Sequence, residues 1–343
     1  MSLIQNIREN YSEITFDIMN ESTNLNTSFV NAIRRTILSD IRVYCIDKTK
    51  VHFFENTSVM DNEMIAERLM LSPIRSDLPN IDYHMIEISC EKRNQDEDVV
   101  GVFLEDFRVI DKTDDKEIPI DDFFPYKKIL ICNLRYNQSV SFEAKLTFNR
   151  VADGGTSAYC PVSTCVHTFG IDEQAVNDHI KEMSEMEKKK FMTRDVQRFI
   201  AKNRVNDPLI YQMKIESIEQ LSAKKIVWIG LNELKNRILS FYSDLQSQTS
   251  RIHIALGNVF EDIIEISVDN ETDTLGNLIS SYMGRQEDVA YSGYVIRHPL
   301  QKNVLFKCKL KENNTIENII VKIGVVTDIL ISIIDEMIPY FES

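Results

Sequence analysis

Three potential metal ligands lie close together in the sequence: Cys160, Cys165 and His167, separated by four residues and by one. Structural zinc sites use cysteine thiolates and histidine imidazoles, and they take four ligands. This set offers three, and no second pair of such residues accompanies it. The pattern therefore favours buried thiols over a zinc site. A metal-dependent enzyme built around Cys160, Cys165 and His167 is kept as the alternative from another functional class.

Acidic residues form further clusters at 96–98, 114–115 and 121–122. Clustered carboxylates can bind magnesium, but these lie in polar stretches without a glycine-rich phosphate loop, which favours solvated loops. His298 stands beside Pro299 with no carboxylate or cysteine at a useful spacing, which favours a structural role. No nucleophile has a base near it in the sequence. We therefore predict no catalytic residue, no metal site and no cofactor, with the acidic loops included in the enzyme alternative.

The chain has 343 residues, 53 of them acidic and 39 basic, so its formal net charge is -14. That balance disfavours binding to a nucleic-acid backbone, where affinity comes from displaced counterions. The six cysteines form no regular framework and the amino terminus lacks a signal-peptide profile, which fits a reducing compartment. The longest apolar stretch near the end, 329–334, is too short to cross a bilayer. No membrane role is predicted.

Alternating apolar residues identify the strands of the first half. Residues 13–19 and 41–54 read as strands that flank a helix at 31–41, with Ser28 as its candidate cap. The stretch 57–208 carries strand signals of its own. It is therefore predicted to be a mostly β domain inserted into the first one.

Less regular signals follow within and after this insertion. Residues 114–125, rich in Asp with two prolines, are predicted to form a loop. Residues 171–203 mix Met, Phe and Ile with dense charge and are predicted to be helical. A strand near 210–218 and a helix at 231–245 return to the first domain, which is therefore discontinuous. The polar segment 243–250 is the predicted junction with the second half.

The sequence contains an internal repeat at a constant offset of 246 residues. NAIRRTILSDI at 31–41 recurs in weaker form as GNLISSYM at 276–283. The matching pairs are Ser28 with Thr274, Phe29 with Leu275, Asn31 with Asn277, Ile33 with Ile279 and Val43 with Val289. Each copy has a hydroxyl residue near the helix start and apolar residues at helical spacing. Because so short a helix needs a partner, we predict that the two helices pack against each other over a sheet in each half.

The last helix, predicted from Thr315 to Tyr340, carries one apolar seam along its length. Its residues recur at steps of three and four: Ile316, Ile319, Ile323, Val326, Leu330, Ile333, Met337 and Tyr340. The module's own sheet needs only part of that face. We therefore predict that another helix packs on the seam, which places Ile323, Leu330 and Met337 at the pairing interface.

Two helical segments carry charges that suit a partner protein. Arg34 and Arg35 are adjacent, so they cannot share one helix face, and at least one projects outward, where a guanidinium suits carboxylates or carbonyls. An ordinary solvated arginine is the alternative. In DNEMIAERLMLSPI at 61–74, Asp61 is placed to cap a helix that Pro73 ends. On that helix Met64, Ile65, Leu69 and Leu71 are predicted to face inward, and Glu63, Glu67 and Arg68 outward.

Three ordered motifs resemble the alpha-like subunits of RNA polymerases. TLGN at 274–277, followed by YSGYVIRHPL at 291–300, resembles the eleventh subunit of eukaryotic RNA polymerase II. NAIRRTILSDI with DNEMIAERLMLSPI is similar to the third subunit, the counterpart of the amino-terminal region of bacterial alpha. SAYCPVST at 157–164 is similar to the segment that closes the inserted domain of third-subunit relatives. A fusion of the two is similar to the arrangement in some large cytoplasmic DNA viruses.

The resemblance implies an α+β fold in which two sheet-plus-helix pairing domains form a pseudo-dimer within one chain. They would comprise residues 1–56 with 209–245 and residues 246–343, with the mostly β domain inserted at 57–208. It also implies a non-catalytic platform that docks the two largest polymerase subunits, joins small subunits and reaches DNA and RNA only through the complex. The implied docking residues are Arg34, Arg35, Asp61, Glu63, Arg68, His298 and Pro299.

Third-subunit relatives often carry a four-cysteine metal loop in the inserted domain, but only Cys90 falls in the matching region here. No metal is therefore carried over from the resemblance. The implied location is intracellular: the virion and host cytoplasm for a viral chain, or the nucleus. A free-standing regulator that shares the fold is the second alternative, which purification without any large polymerase subunit would favour.

Overall fold

The computed structural model describes residues 2–21, 24–79, 81–257, 262–298 and 300–342. Within these ranges the strands are β1 (Ile4–Glu9), β2 (Glu13–Met19), β3 (Val43–Asn56), β4 (Ile86–Arg93), β5 (Val100–Phe103), β6 (Arg108–Asp111), β7 (Lys116–Ile118), β8 (Leu130–Leu134), β9 (Ser139–Asn149), β10 (Val162–Phe169), β11 (Ile210–Ser217), β12 (Ile252–Leu256), β13 (Ile264–Asp269), β14 (Val289–Val295) and β15 (Asn303–Leu310). The helices are α1 (Thr27–Ser39), α2 (Asn62–Met70), α3 (Ile120–Phe123), α4 (Val151–Gly154), α5 (Glu173–Ile180), α6 (Glu185–Arg194), α7 (Ala223–Ser247), α8 (Asp273–Met283) and α9 (Ile316–Met337).

Two four-stranded antiparallel sheets form the bases of the two pairing modules. The first has the order β1-β2-β11-β10, and the second has the order β12-β13-β15-β14. Alternation places one face of each strand inward; in β2, for example, Ile14, Phe16 and Ile18 are buried while their neighbours are partly exposed. The α+β fold with two sheet-plus-helix modules is therefore confirmed.

One continuous core joins the two modules. It contains buried residues from both four-stranded sheets and from α1, α7, α8 and α9. A second core lies between a five-stranded sheet of order β3-β9-β4-β6-β7 and the two-stranded sheet β5-β8. The chain passes from the first core to the second within β3, since Cys45 belongs to the first and Ile46 to the second.

These sheets divide the chain differently from the predicted insertion at 57–208. β3 pairs with β9 inside the five-stranded sheet, so the inserted sheet begins before residue 57. β10 pairs with β11 in the first module, so the chain has returned well before residue 208. The reason is that strand signals do not say which sheet a strand joins: residues 162–169 lie within the predicted insertion but pair with β11 of the first module.

The repeat has a structural counterpart at the same offset. α1 is capped by the side chain of Asn26, which accepts a hydrogen bond from the amide of Phe29, and α8 is capped by Thr272, 246 positions later. The strands that follow begin at Val43 and Val289, which are again 246 positions apart. The caps lie two residues before the predicted Ser28 and Thr274, because the helices already begin at Thr27 and Asp273.

Two other predictions are corrected by the structure, and one is confirmed. The stretch 114–125 was predicted as a loop, but it contains β7 and the short helix α3. α7 begins at Ala223, eight residues before the predicted start, with Ser222 as its cap. The helical prediction for 171–203 is confirmed by α5 and α6.

Candidate pairing and docking surfaces

Helices α1 and α8 lie antiparallel against each other where the two modules meet. Near the start of α1, Asn26 Nδ2 donates a hydrogen bond to Ser281 Oγ at the end of α8, at 2.9 Å. Near the end of α1, Arg35 Nε donates to Thr274 Oγ1 at the start of α8, at 2.8 Å. Each helix start thus meets the other helix end, as expected for two copies related by an approximate two-fold axis.

The apolar residues predicted for pairing lie in the shared core. Those at most 1 % exposed are Phe29, Ile33, Leu275, Ile279, Ile323, Leu330 and Met337. Asn31 and Asn277 are half-buried and line a polar cavity of about 220 Å³ between the two helices. The junction therefore has an apolar base and a polar rim.

Helix α9 packs along α7, which supplies the second helix that its apolar seam requires. Gly324 of α9 faces Tyr242 of α7: a Cβ at position 324 would lie 2.3 Å from the Tyr242 hydroxyl. Lys235 of α7 also forms an ion pair with Asp335 of α9. The close approach of these two helices therefore depends on the missing side chain of Gly324.

A buried ionic network, which the sequence did not reveal, ties the modules together. Arg237 of α7 lies 3.0 Å from Asp40 at the end of α1 and 2.7 Å from Glu271, just before α8. It also donates to the cap residue Thr272 at 2.9 Å. Arg251 reaches the other oxygen of Glu271 at 3.4 Å. Since Asp40 and Glu271 are buried, these guanidinium groups neutralise carboxylates that would otherwise be costly to bury.

The two arginines of α1 have different surroundings. Arg34 Nε donates to Asn31 Oδ1 at 2.9 Å. Burial, followed by the nearby Arg34 charge, lowers the pKa of His167. Arg35 contacts α8 through Thr274, and its Nη2 lies 4.0 Å from the Asp273 carboxylate. Arg35 therefore lies at the junction of the two helices, with part of its side chain still exposed.

Helix α2 departs from its predicted orientation. Ile65 and Leu69 are fully buried, as predicted, but Met64 is 56 % and Leu71 is 53 % exposed. They are seven positions apart, so Met64 and Leu71 share the outward face of the helix, and Arg68 lies between them. Asp61 occupies the cap position without a side-chain cap hydrogen bond. The apolar residues at 64 and 71 were assigned inward because periodicity alone does not distinguish a core face from an interface.

The other residues predicted for docking, on α2 and after β14, are exposed where the structure describes them. Arg68 Nη2 donates to the Leu130 carbonyl at 2.7 Å, which fixes α2 against β8. Glu63 lies in the first turn of α2 and is exposed. His298 is exposed, and its Nδ1 accepts a hydrogen bond from the Leu300 amide at 3.1 Å. That bond suits the predicted structural role of His298, while Pro299 lies outside the described residues.

The structure does not bring Cys160, Cys165 and His167 together as a set of metal ligands. In the described part of the chain, no three His, Cys, Asp or Glu residues are arranged to hold a metal ion. Burial raises the pKa of the Cys165 thiol to about 12, as expected for a buried thiol. Burial also lowers the pKa of His167. Among the described helices, none is long and apolar enough to span a membrane.

Comparison with known proteins agrees with this geometry. Residues 15–238 and, separately, residues 263–337 match the family described as RNA polymerase Rpb3/Rpb11 dimerisation domain. The first match alone covers more than half of the chain. The chain therefore belongs to this family, and it contains two of its domains in succession.

Individual relatives are polymerase subunits. DNA-directed RNA polymerase subunit Rpo3 of Pyrococcus furiosus is 25% identical over 256 residues, which cover 66% of this chain and 92% of the relative. Rpo3 of Methanocaldococcus jannaschii is 40% identical over 65 residues, 19% of this chain and 32% of the relative. The rpac1 subunit of DNA-directed RNA polymerases I and III of Dictyostelium discoideum is 30% identical over 95 residues, 24% of this chain and 27% of the relative. The chain is thus an alpha-like polymerase subunit.

Proposed function

We propose that this chain is the assembly platform of a multisubunit DNA-directed RNA polymerase, with a third-subunit-like part and an eleventh-subunit-like part fused in one polypeptide. The observation that carries the proposal is the antiparallel packing of α1 against α8 within one core. In this function the chain performs no catalysis. Nucleotide addition takes place in the two largest subunits, which dock on the platform.

The proposed pairing interface holds the two modules in one orientation. It comprises Phe29, Asn31, Ile33, Leu275, Asn277, Ile279, Ile323, Leu330 and Met337, with Arg237 at its edge. The first pairing domain surrounds the inserted domain, and the second comprises residues 246–343. The pairings of β3 and β10 support placing the inserted core at about residues 46–149 instead of the sequence-based 57–208, which moves the rest of 1–245 to the first pairing domain.

The proposed docking face for the large subunits is centred on the outward face of α2, which presents Met64, Arg68 and Leu71. Exposed apolar side chains beside an arginine are typical of protein interfaces. Asp61 and Glu63 at the start of α2 extend this face. Arg34, Arg35, His298 and Pro299 are proposed as further docking positions, with Arg35 shared between docking and pairing because of its bond to Thr274.

The origin, the location and the other partners of the complex are also part of this proposal. A fusion of the two alpha-like parts fits the polymerase of a large cytoplasmic DNA virus, located in the virion and host cytoplasm, with the nucleus as the other site of transcription. Small polymerase subunits would bind the same platform. DNA and RNA would be reached only through the assembled enzyme, consistent with the net charge of -14.

The direct test is affinity purification of the tagged full chain from the cells in which it is naturally made, followed by mass spectrometry. We expect the two largest polymerase subunits in stoichiometric amounts. The double variant Met64→Glu/Leu71→Glu should keep its melting temperature, because both side chains are already exposed, and should lower that recovery by about tenfold or more.

A matched control places the same charge on another exposed methionine. Met186 of α6 is 86 % exposed and far along the chain from α2, so Met186→Glu should leave recovery unchanged. Purification of the wild-type chain without any large polymerase subunit would reject the platform and favour the free-standing regulator. Equal losses in the α2 variant and the Met186 control would reject α2 as the docking face.

A further inference from the structure

The edge of the five-stranded sheet in the inserted domain has no role in pairing or in the proposed docking face. β7 is the outermost strand of that sheet and pairs with β6 through Val109 to Asp111. Its other edge meets no strand among the described residues. An outer strand of this kind can accept an extended peptide as an additional strand.

A cavity of about 460 Å³ lies against this strand. Its apolar lining is formed by Leu78 and Ile81 from the segment before β4, by Ile118 of β7 and by Pro119. Ile118 is 8 % exposed and reaches into the second core. The cavity is therefore large enough and apolar enough to receive one or two aliphatic side chains.

Carboxylates surround this apolar lining. Asp111, Asp114, Glu117 and Asp122 line the cavity together with one cation, Lys116. Hydrogen bonds from Thr113 hold the pKa of the Asp111 carboxyl below its usual value, so it stays ionised. Glu117 pairs with Arg108 at 3.3 Å, but both side chains are more than half exposed, so the pair is weak. The cavity therefore has an excess of negative charge at its rim.

We propose that the outer edge of β7 and this cavity, here called the acidic groove, bind an extended segment of a partner protein that carries lysine or arginine residues. A strand directs alternate side chains to opposite faces, so apolar residues of an added strand can enter the cavity beside Ile118, while the basic residues between them lie on the face of the exposed Glu117. Backbone hydrogen bonds to β7 supply affinity, and the charge selects basic segments. The proposal is independent of the polymerase platform.

The test uses the full chain and a defined probe, the fluorescein-labelled peptide Ac-Lys-Val-Lys-Val-Lys-Val-Lys-NH2, in fluorescence anisotropy. We expect saturable binding that weakens as salt rises from about 50 to about 200 mM, because added salt shortens the Debye length and screens the attraction between charges. The same peptide with Glu in place of Lys should not bind. A version with N-methylated valines should bind at least about tenfold more weakly, because it cannot complete the added strand.

Two variants of equal charge change locate the site. Glu117→Lys/Asp122→Lys reverses two exposed carboxylates of the acidic groove, and we expect it to weaken binding by about tenfold or more. Glu97→Lys/Asp98→Lys makes the same charge change in the exposed turn between β4 and β5, and we expect little effect. Hydrogen exchange should show peptide-dependent protection of amides at 116–118.

Several results would overturn the proposal. They are equal binding of the acidic and basic peptides, equal losses in the two double variants, and unchanged binding of the N-methylated peptide. Protection confined to residues outside the inserted domain would also reject the site. Circular dichroism melting of both variants separates loss of binding from loss of folding.

Discussion

At the scale of single residues, Arg237 links three segments at the junction of the two modules. It contacts the end of α1, the segment before α8 and the cap of α8. Asp40 and Glu271, its carboxylate partners, are each less than 10 % exposed. Removing one partner of a buried ion pair costs more than the pair contributes, because the other charge is left without compensation.

We predict that Arg237→Met lowers the free energy of unfolding by about 3 to 5 kcal/mol, because the buried Asp40 loses its cation and Glu271 keeps only the longer contact to Arg251. Urea denaturation followed by circular dichroism measures the change. Arg297→Met is the matched control, since Arg297 is 65 % exposed and its pair with Glu265 spans 3.5 Å. That variant should change stability by less than about 1 kcal/mol. Similar losses in both would show that burial of the network matters little.

The sequence could not reveal this network. Arg237 lies 197 positions from Asp40 and 34 positions from Glu271, so no local spacing connects them. The apolar pairing residues could be predicted, because helical periodicity records which face of α1 or α8 is buried. The spacing of charged residues in the sequence does not show which other residues they contact. Their partners become visible only when the fold brings distant segments together.

At the scale of elements, the packing of α7 on α9 rests on a close approach at Gly324. A Cβ at this position would meet the Tyr242 hydroxyl at 2.3 Å and the ring carbon Cζ at 2.7 Å. Both distances are far below ordinary van der Waals contact, so Tyr242 or the helices would have to move. Overpacking of this kind typically costs about 1 to 3 kcal/mol.

We predict that Gly324→Ala destabilises the chain by about 1 to 3 kcal/mol, despite the higher helix propensity of alanine. Gly284→Ala is the matched control, because a Cβ there meets only carbonyl oxygens, at 3.4 and 3.8 Å. The double variant Gly324→Ala/Tyr242→Leu should recover part of the loss, which a double-mutant cycle in urea would measure. An equal cost with and without Tyr242 would contradict the proposed contact.

The positions of helices and strands were easier to predict than what each of them packs against. Alternation in residues 13–19 and the seam of the last helix gave β2 and α9 with nearly correct bounds. The segment 114–125 was misread because Asp and Pro are rare in strands, yet pairing with β6 is enough to form the three-residue strand β7. Met64 and Leu71 were misplaced for a related reason: an apolar residue on a helix can face a partner as well as a core.

At the scale of the whole molecule, the two modules share a core that neither can complete alone. α9 of the second module packs along α7 of the first, and α8 packs along α1. The connection between them is short, since α7 ends at Ser247 and β12 begins at Ile252. A short link gives the modules an effective concentration of order mM for one another, so pairing within one chain should be independent of protein concentration.

A chain with a cleavable link tests whether the two modules fold and pair in one intramolecular step. A protease site inserted between Gln248 and Thr249 leaves both modules intact and interrupts only their connection. Before cleavage, the urea midpoint should be the same at about 0.5 and 50 µM protein, because folding and pairing are one intramolecular step. After cleavage, the fragments should stay associated, but the midpoint should rise with concentration, because pairing has become bimolecular. The inserted but uncut protein is the control for the insertion itself. Fragments that separate and stay folded as monomers would mean that the apolar contacts of α1 with α8 and of α7 with α9 are dispensable, and the pairing interface would then be misassigned.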